Sequence, residues 1–338
     1  MKVLIHVGHP AHVHLFRNVI NLLEKKNISV IVTAVDKEIT IELLKLYGIK
    51  YISIATHQKK LTGKIKNLVL MTSRLYSLSK CHNVDVLIGL ASAPISYASK
   101  LLSKKSIILD DTEHSELEIF LYRFFASEII TPFSFTKKLS SSQIFYRGYH
   151  ELAYLHPNYF IPNSDILNSL KINKNERFAL IRFVSWDANH DANSRGLSNI
   201  DKIKLVRKLS SHCKVYITSE SKLPPYLEKH RINISLNKIH DLIYYASIVV
   251  TEGATMASES AILGTPVIYV NPLVLGYLEN QERNYGLVYN FRNFNGVTKK
   301  AEDILCNLQS KDQKRIKANR LISESIDLTN LIFERITY

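Results

Sequence analysis

The sequence predicts an α/β protein made of two Rossmann-like halves, each a parallel sheet flanked by helices and facing a common cleft. Three observations lead there. The chain has 338 residues, about twice the ~150 of an ordinary domain. Short β-branched runs alternate with amphipathic helical stretches through both halves, the pattern of strand–helix–strand units. A stretch rich in Pro and Asn, YLHPNYFIPNSDIL at 154–167, interrupts that alternation near the middle. The division that follows is a first domain over 1–155, a linker over 156–167 and a second domain over 168–315. A last helix over 316–338 is expected to pack back toward the first half.

In the first half, strands are expected at 3–7, 29–34, 50–54, 85–89 and 106–109. Helices fill 13–26, 37–47, the stretch up to about 79, and a segment from Pro94. Gly48 suits the left-handed cap that ends the second of them. HQKKLTGKIK at 57–66 is a basic loop: a solvated surface segment, or a flap over a phosphorylated substrate. LEIFLYRFFASEII at 117–130 reads first as one apolar helix packed beneath the sheet. Its alternative is a membrane-docking helix carrying aromatics and Arg123. The second half repeats the pattern, with strands at 178–183, 214–218, 248–250 and 266–270. Helices are expected at 199–211, 240–246, 255–263 and over the final ~25 residues.

Lys and Arg number 44 against 30 Asp and Glu, a net charge of +14, which favours anionic partners. The basic residues fall in scattered pairs, such as Lys25-Lys26, Lys104-Lys105 and Lys137-Lys138. No nucleic-acid-recognition motif accompanies them, so no nucleic-acid partner is expected. Phosphorylated substrates and an anionic membrane surface fit better. Cys81, Cys213 and Cys306 form no CxxC pair and read as reduced, buried residues of a cytoplasmic protein. The opening MKVLIHVGHPAH is a core strand rather than a signal peptide. No run approaches the ~18 apolar residues of a membrane span. The expectation is a cytoplasmic protein with at most peripheral contact at the membrane's inner face.

The most informative passage is IVVTEGATMASESAILGTPVIYV at 248–270. A buried strand runs into the turn Thr251-Glu252-Gly253-Ala254, and Thr255 is a suitable N-cap for the next helix. Gly253 and Ala254 let backbone N–H groups approach an anion at the helix's positive end. Thr255 and Ser258 add hydroxyls. Glu259, one turn deeper on the face of Thr255, is placed to bind two ribose hydroxyls. Gly264 ends that helix. The plainer alternative is an ordinary turn and a solvated Glu259.

This segment resembles the donor-binding motif of GT-B glycosyltransferases and of the related non-hydrolysing UDP-N-acetylglucosamine 2-epimerases. The whole chain is identified as a member of the domain of unknown function 354 family. The landmarks are GHPAHVHLF at 8–16, DDTEH at 110–114, GYHELAYLHP at 148–157, RFVSWDANHD at 182–191 and EGATMASESAILGTP at 252–266. The resemblance implies a GT-B fold and a nucleotide-diphosphate sugar, UDP-linked, as donor substrate. A glycan or lipid-linked acceptor in surface polysaccharide or glycolipid biosynthesis goes with it, and neither a metal nor a separate cofactor is implied.

The loop after the first strand, Gly8-His9-Pro10-Ala11-His12, opens a helix, and Gly8 and His9 are candidates for binding phosphate or acceptor. By resemblance to the glucuronosyl type of GT-B enzyme, His12 is the general base that deprotonates the acceptor. Metal binding by His6, His9, His12 and His14, or simple lining of the cleft, are the alternatives. In the acidic loop, Glu113 resembles the catalytic glutamate of the 2-epimerases, although the glycine–leucine–arginine that follows it there is missing. Asp111 or Glu113 orienting His12, or a helix cap, are the other readings. In the loop after 178–183, Arg182 and Ser185 are candidates to hold a diphosphate, and Trp186 to stack a base or sugar. Three functions are open: a metal-independent glycosyltransferase, a 2-epimerase using Glu113, Asp111 and His190, or a nucleotide-sugar-binding protein without catalysis.

Overall fold

The computed structural model describes residues 1–56, 61–173, 175–184, 196–219, 222–307 and 310–338. The chain divides into two compact units, Met1–Tyr159 with Ser325–Tyr338, and Phe160–Glu324. The protein is α/β, with one parallel sheet in each unit.

The first unit alternates β1 (Lys2–Val7), α1 (Pro10–Lys25), β2 (Ser29–Asp36), α2 (Glu38–Leu46), β3 (Ile52–Thr56) and α3 (Leu61–His82). It continues through β4 (Val86–Leu90), α4 (Ala93–Leu102), β5 (Lys105–Leu109), α5 (Glu116–Tyr122), β6 (Glu128–Pro132), β7 (Gln143–Tyr146) and α6 (Leu152–Leu155). Its seven strands lie in the order β3-β2-β1-β4-β5-β6-β7. Helices cover both faces, so β1, β4 and β5 are near-continuous apolar runs rather than alternating ones. On one face α3, α4 and α5 pack side by side over a core that includes Leu75, Ile95, Ile119 and Tyr122. The order reverses between β1 and β4, and in open α/β sheets ligands bind beyond the strand ends at such a switch point.

The second unit runs α7 (Asp165–Ser169), β8 (Phe178–Phe183), α8 (Asn199–Ser210), β9 (Lys214–Ser219), α9 (Pro225–Glu228), α10 (Ile239–Tyr245) and β10 (Ile248–Thr251). There follow α11 (Ala254–Ile262), β11 (Val267–Val270), α12 (Gly276–Arg283), β12 (Val288–Phe291), α13 (Val297–Cys306) and α14 (Ser310–Ser323). Its order is β12-β11-β10-β8-β9, so the switch point falls between β10 and β8. Arg182 at the end of β8 stands in register with Thr251 at the end of β10.

Two expectations are corrected. The stretch 117–130 is not one buried helix: α5 stops at Tyr122 and the chain re-enters the sheet as β6, with β7 beyond it as the edge. Ile129 and Ile130 are buried between neighbouring strands, and that burial overrides the helical periodicity of the aromatics before them. The final ~25 residues are likewise not one helix. α14 ends at Ser323, and α15 (Leu328–Thr337) starts afresh where Asp327 caps the Asn330 amide. α15 belongs to the first unit: Leu328, Ile332 and Ile336 are buried at four-residue spacing. Arg335 makes a two-pronged ion pair to Glu128 at 2.9 and 2.6 Å.

Candidate functional site

In the second unit the sequence motif folds around Glu252. This carboxylate is fully buried and accepts from the backbone amides of Val184 at 3.2 Å and Leu197 at 2.7 Å. It therefore binds the loop that leaves β8 to the turn that leaves β10, at the switch point. The Glu252 carbonyl accepts in turn from Asn271 Nδ2 at 3.0 Å, and the Gly253 amide donates to Thr251 Oγ1 at 2.9 Å. The N-cap of α11 is Gly253, not Thr255 as expected, and no side chain caps the helix. Thr255 sits one residue inside the helix and is exposed. Among the described residues no side chain caps the first-turn amides of α11, and uncapped amides at a helix N-terminus favour an anion.

Behind this turn the helix is anchored from inside. Glu259 Oε1 lies 2.8 Å from His240 Nε2, with both side chains over nine-tenths buried. Glu259 is therefore no solvated helix residue; α10 holds it from beneath. Ser258 is fully buried and accepts from Gln281 Nε2 at 2.9 Å, which uses its hydroxyl within the fold.

In the first unit, the loops after β1, β5 and β7 form a second cluster. His9 is the N-cap of α1, accepting from the Ala11 amide at 3.3 Å. His12 Nδ1 accepts from the Gly8 amide at 3.3 Å. Burial, with His9 and His6 nearby, holds the His12 ring well below its ordinary pKa, while Asp111 pulls the other way. The ring is neutral at pH 7. With Nδ1 occupied its hydrogen sits on Nε2, so His12 as held is a donor. His6 bonds Thr33 Oγ1 at 3.1 Å, and His14 packs between Tyr47 and Tyr154. The His9 and His12 rings lie 6.0 Å apart, while His14 is taken up by the two tyrosines.

Asp111 Oδ2 is 3.1 Å from His150 Nδ1. Burial opposes the Asp111 charge, yet the His150 charge and hydrogen bond, the Thr112 hydroxyl and His12 hold it below the usual carboxylate range. Burial likewise opposes the His150 cation, but Asp111, Glu151 and Asp110 raise it above the ordinary histidine value. The ring stacks near Tyr146 at 6.1 Å, and its buried Nε2 meets no hydrogen-bond partner among the described residues. Next door, burial pushes Asp110 up to about 7, against hydrogen bonds from Tyr122 and the Thr112 amide. Glu113 is buried on the same loop.

His150, His240 and Glu252 were missed as site residues. GYHELAYLHP holds His150, but the four residues of β7, the strand that delivers it, carry no local strand signal strong enough to mark it. Ser185, Trp186, His190 and Asp191, with the basic segment 57–60, lie outside the described residues.

A family model described as "Protein of unknown function (DUF354)" matches residues 1–338. The chain belongs to this family. An uncharacterized protein of Methanocaldococcus jannaschii is 25% identical to the DUF354 chain over 285 residues, 80% of this chain and 82% of the relative. Among solved structures, UDP-GlcNAc 2-epimerase from Neisseria meningitidis bound to UDP-GlcNAc matches with TM-score 0.73 at 15% identity, covering 100% of both chains. The Streptomyces glycosyltransferase SsfS6, complexed with thymidine diphosphate, matches with TM-score 0.65 at 13% identity over 99% of each chain. At such identities the likeness establishes the fold, which is the GT-B fold.

Proposed function

We propose that this protein is a glycosyltransferase that takes a nucleotide-diphosphate sugar, UDP-linked, as donor and a glycan or lipid-linked hydroxyl as acceptor. The observation that carries the reading is the Asp111–His150 pair beside a neutral His12, a charged carboxylate oriented by one ring and flanked by a donor on another. The donor diphosphate rests on the α11 amides of Ala254 and Thr255, with Arg182 as counter-charge and Glu259 on the ribose. Asp111 takes the proton of the acceptor hydroxyl as its oxygen bonds the anomeric carbon. The bond from that carbon to the diphosphate oxygen breaks, and the nucleoside diphosphate leaves. Electrostatic stabilisation of that leaving group by fixed amides and Arg182 supplies the main acceleration. Solved neighbours with UDP-GlcNAc or thymidine diphosphate bound support the donor class.

A second reading, 2-epimerisation, is favoured by Asp110, which holds its proton up to about pH 7 beside the charged Asp111. Such a neighbouring acid and base is what moving a proton at carbon 2 requires. Incubation with UDP-N-acetylglucosamine separates the two. Isomerisation at carbon 2 without acceptor overturns the transferase reading, whereas release of UDP only when a glycan or lipid acceptor is added supports it. Nucleotide binding with no turnover across an acceptor panel leaves a binding protein. His12→Ala is expected to spare nucleotide binding and abolish turnover.

A further inference from the structure

The outer side of the α3–α4–α5 layer in the first unit bears large apolar side chains that the core does not use. On and after α5, Leu117, Phe120 and Phe124 are 60%, 57% and 63% exposed. Their spacing of three and four residues puts them on one side of the helix, opposite the buried Ile119 and Tyr122. Phe125, 43% exposed, meets Tyr97 of α4 edge-on at 5.0 Å, and Leu101, one turn further along α4, is 68% exposed. Single exposed apolar residues are commonplace, but five such residues on and beside two adjacent helices mark an interaction surface.

The charges around it select the partner. The Arg123 guanidinium lies over the rings of Phe124 at 4.4 Å and Phe120 at 5.7 Å. Lys100 is exposed at the end of α4, Lys104 beyond it pairs with Asp85 at 3.5 Å, and Lys137 neutralises Glu116 at the start of α5 at 2.7 Å. Glu118 is half-buried on the flank. We propose that this face docks on an anionic lipid bilayer. The rings enter the headgroup–acyl boundary while Arg123 and the lysines meet lipid phosphates, the division of labour of an interfacial helix. A second copy of the chain fits less well, because a two-fold contact through this face would bring Arg123 and Lys100 toward the same cations of the other copy. The proposal stands independently of the chemistry above, since its readout is lipid binding.

The test is co-sedimentation of the full chain with vesicles of phosphatidylcholine, alone or with about a third phosphatidylglycerol. Binding to the mixed vesicles, weakened by salt, is expected. The double substitution Phe120→Ser and Phe124→Ser should weaken it at least about tenfold, and Arg123→Glu should weaken it while leaving the circular dichroism spectrum unchanged. Phe120 and Phe124 are exposed and Arg123 is half-buried, and the fold of each variant is checked by its melting curve. Binding that is absent in the parent chain, or unaltered in the folded variants, overturns the proposal. So does a parent dimer in analytical ultracentrifugation that the double variant converts to monomer, which would make the face an interface between copies.

Discussion

Asp111 and His150 are joined by a 3.1 Å ion pair that links the loop after β5 to the segment after β7. Both side chains are mostly buried, at 17% and 7% exposure, so removing one partner strands the other's charge or hydrogen bond. Asp111→Asn is expected to lower stability by about 3 kcal/mol near pH 5, read from urea unfolding. The pH dependence follows from the two shifts. His150 is raised, so its share is complete below 6.5 and fades as pH rises through its folded value. Asp111 is lowered, so its share is complete above 3.8 and fades as acid reaches its folded value. The gap between parent and variant is therefore widest between about 4 and 6.5. A gap independent of pH would show that the pair is not ionised.

Glu259 and His240 invite a separation of binding from folding. Glu259→Gln keeps the size of the side chain but removes the charge that would accept ribose hydroxyls. Hydrogen bonds to a charged group contribute about 1.5–3 kcal/mol, so UDP affinity by calorimetry should fall roughly 10- to 150-fold. Unaltered affinity in a folded Glu259→Gln protein removes the ribose from this site.

Glu252 gathers two amides from either end of the loop that follows β8. Glu252→Ala leaves two part-buried amide donors without this acceptor and should cost about 1–3 kcal/mol. A loss below about 0.5 kcal/mol would mean that this carboxylate does not hold the turn.

Gly264 has φ +68°, and a Cβ built there would stand 2.7 Å from the Arg315 Cα of α14. Gly264→Ala combines a left-handed alanine with a backbone clash, and a loss of at least about 2 kcal/mol is expected in thermal unfolding.

Much of the sheet framework is written locally. The runs at 3–7, 106–109, 178–183 and 248–250 are apolar enough to be buried on both faces, and each is a strand. The turn at Thr251–Ala254 was recognisable because Gly253 and the residues after it form a compact pattern. The stretch 117–130 misled because aromatics spaced like a buried helix are in fact turned outward. Only the partners of β6 show that its isoleucines belong to a sheet.

By itself the sequence determined the α/β class, the alternation of elements and the two loops where chemistry gathers, because periodicity and turn residues act over a few neighbours. The tertiary structure alone decided which side chains meet. Glu259 is held by His240, Glu252 by the amides of Val184 and Leu197, and Asp111 by His150 rather than by His12. These pairings join segments far apart in the chain, and Asp111 and His150 hold each other's charge against the opposition of burial. Neither is a property of a local stretch of chain: both arise only when the sheet order has brought β5 near β7 and β8 beside β10.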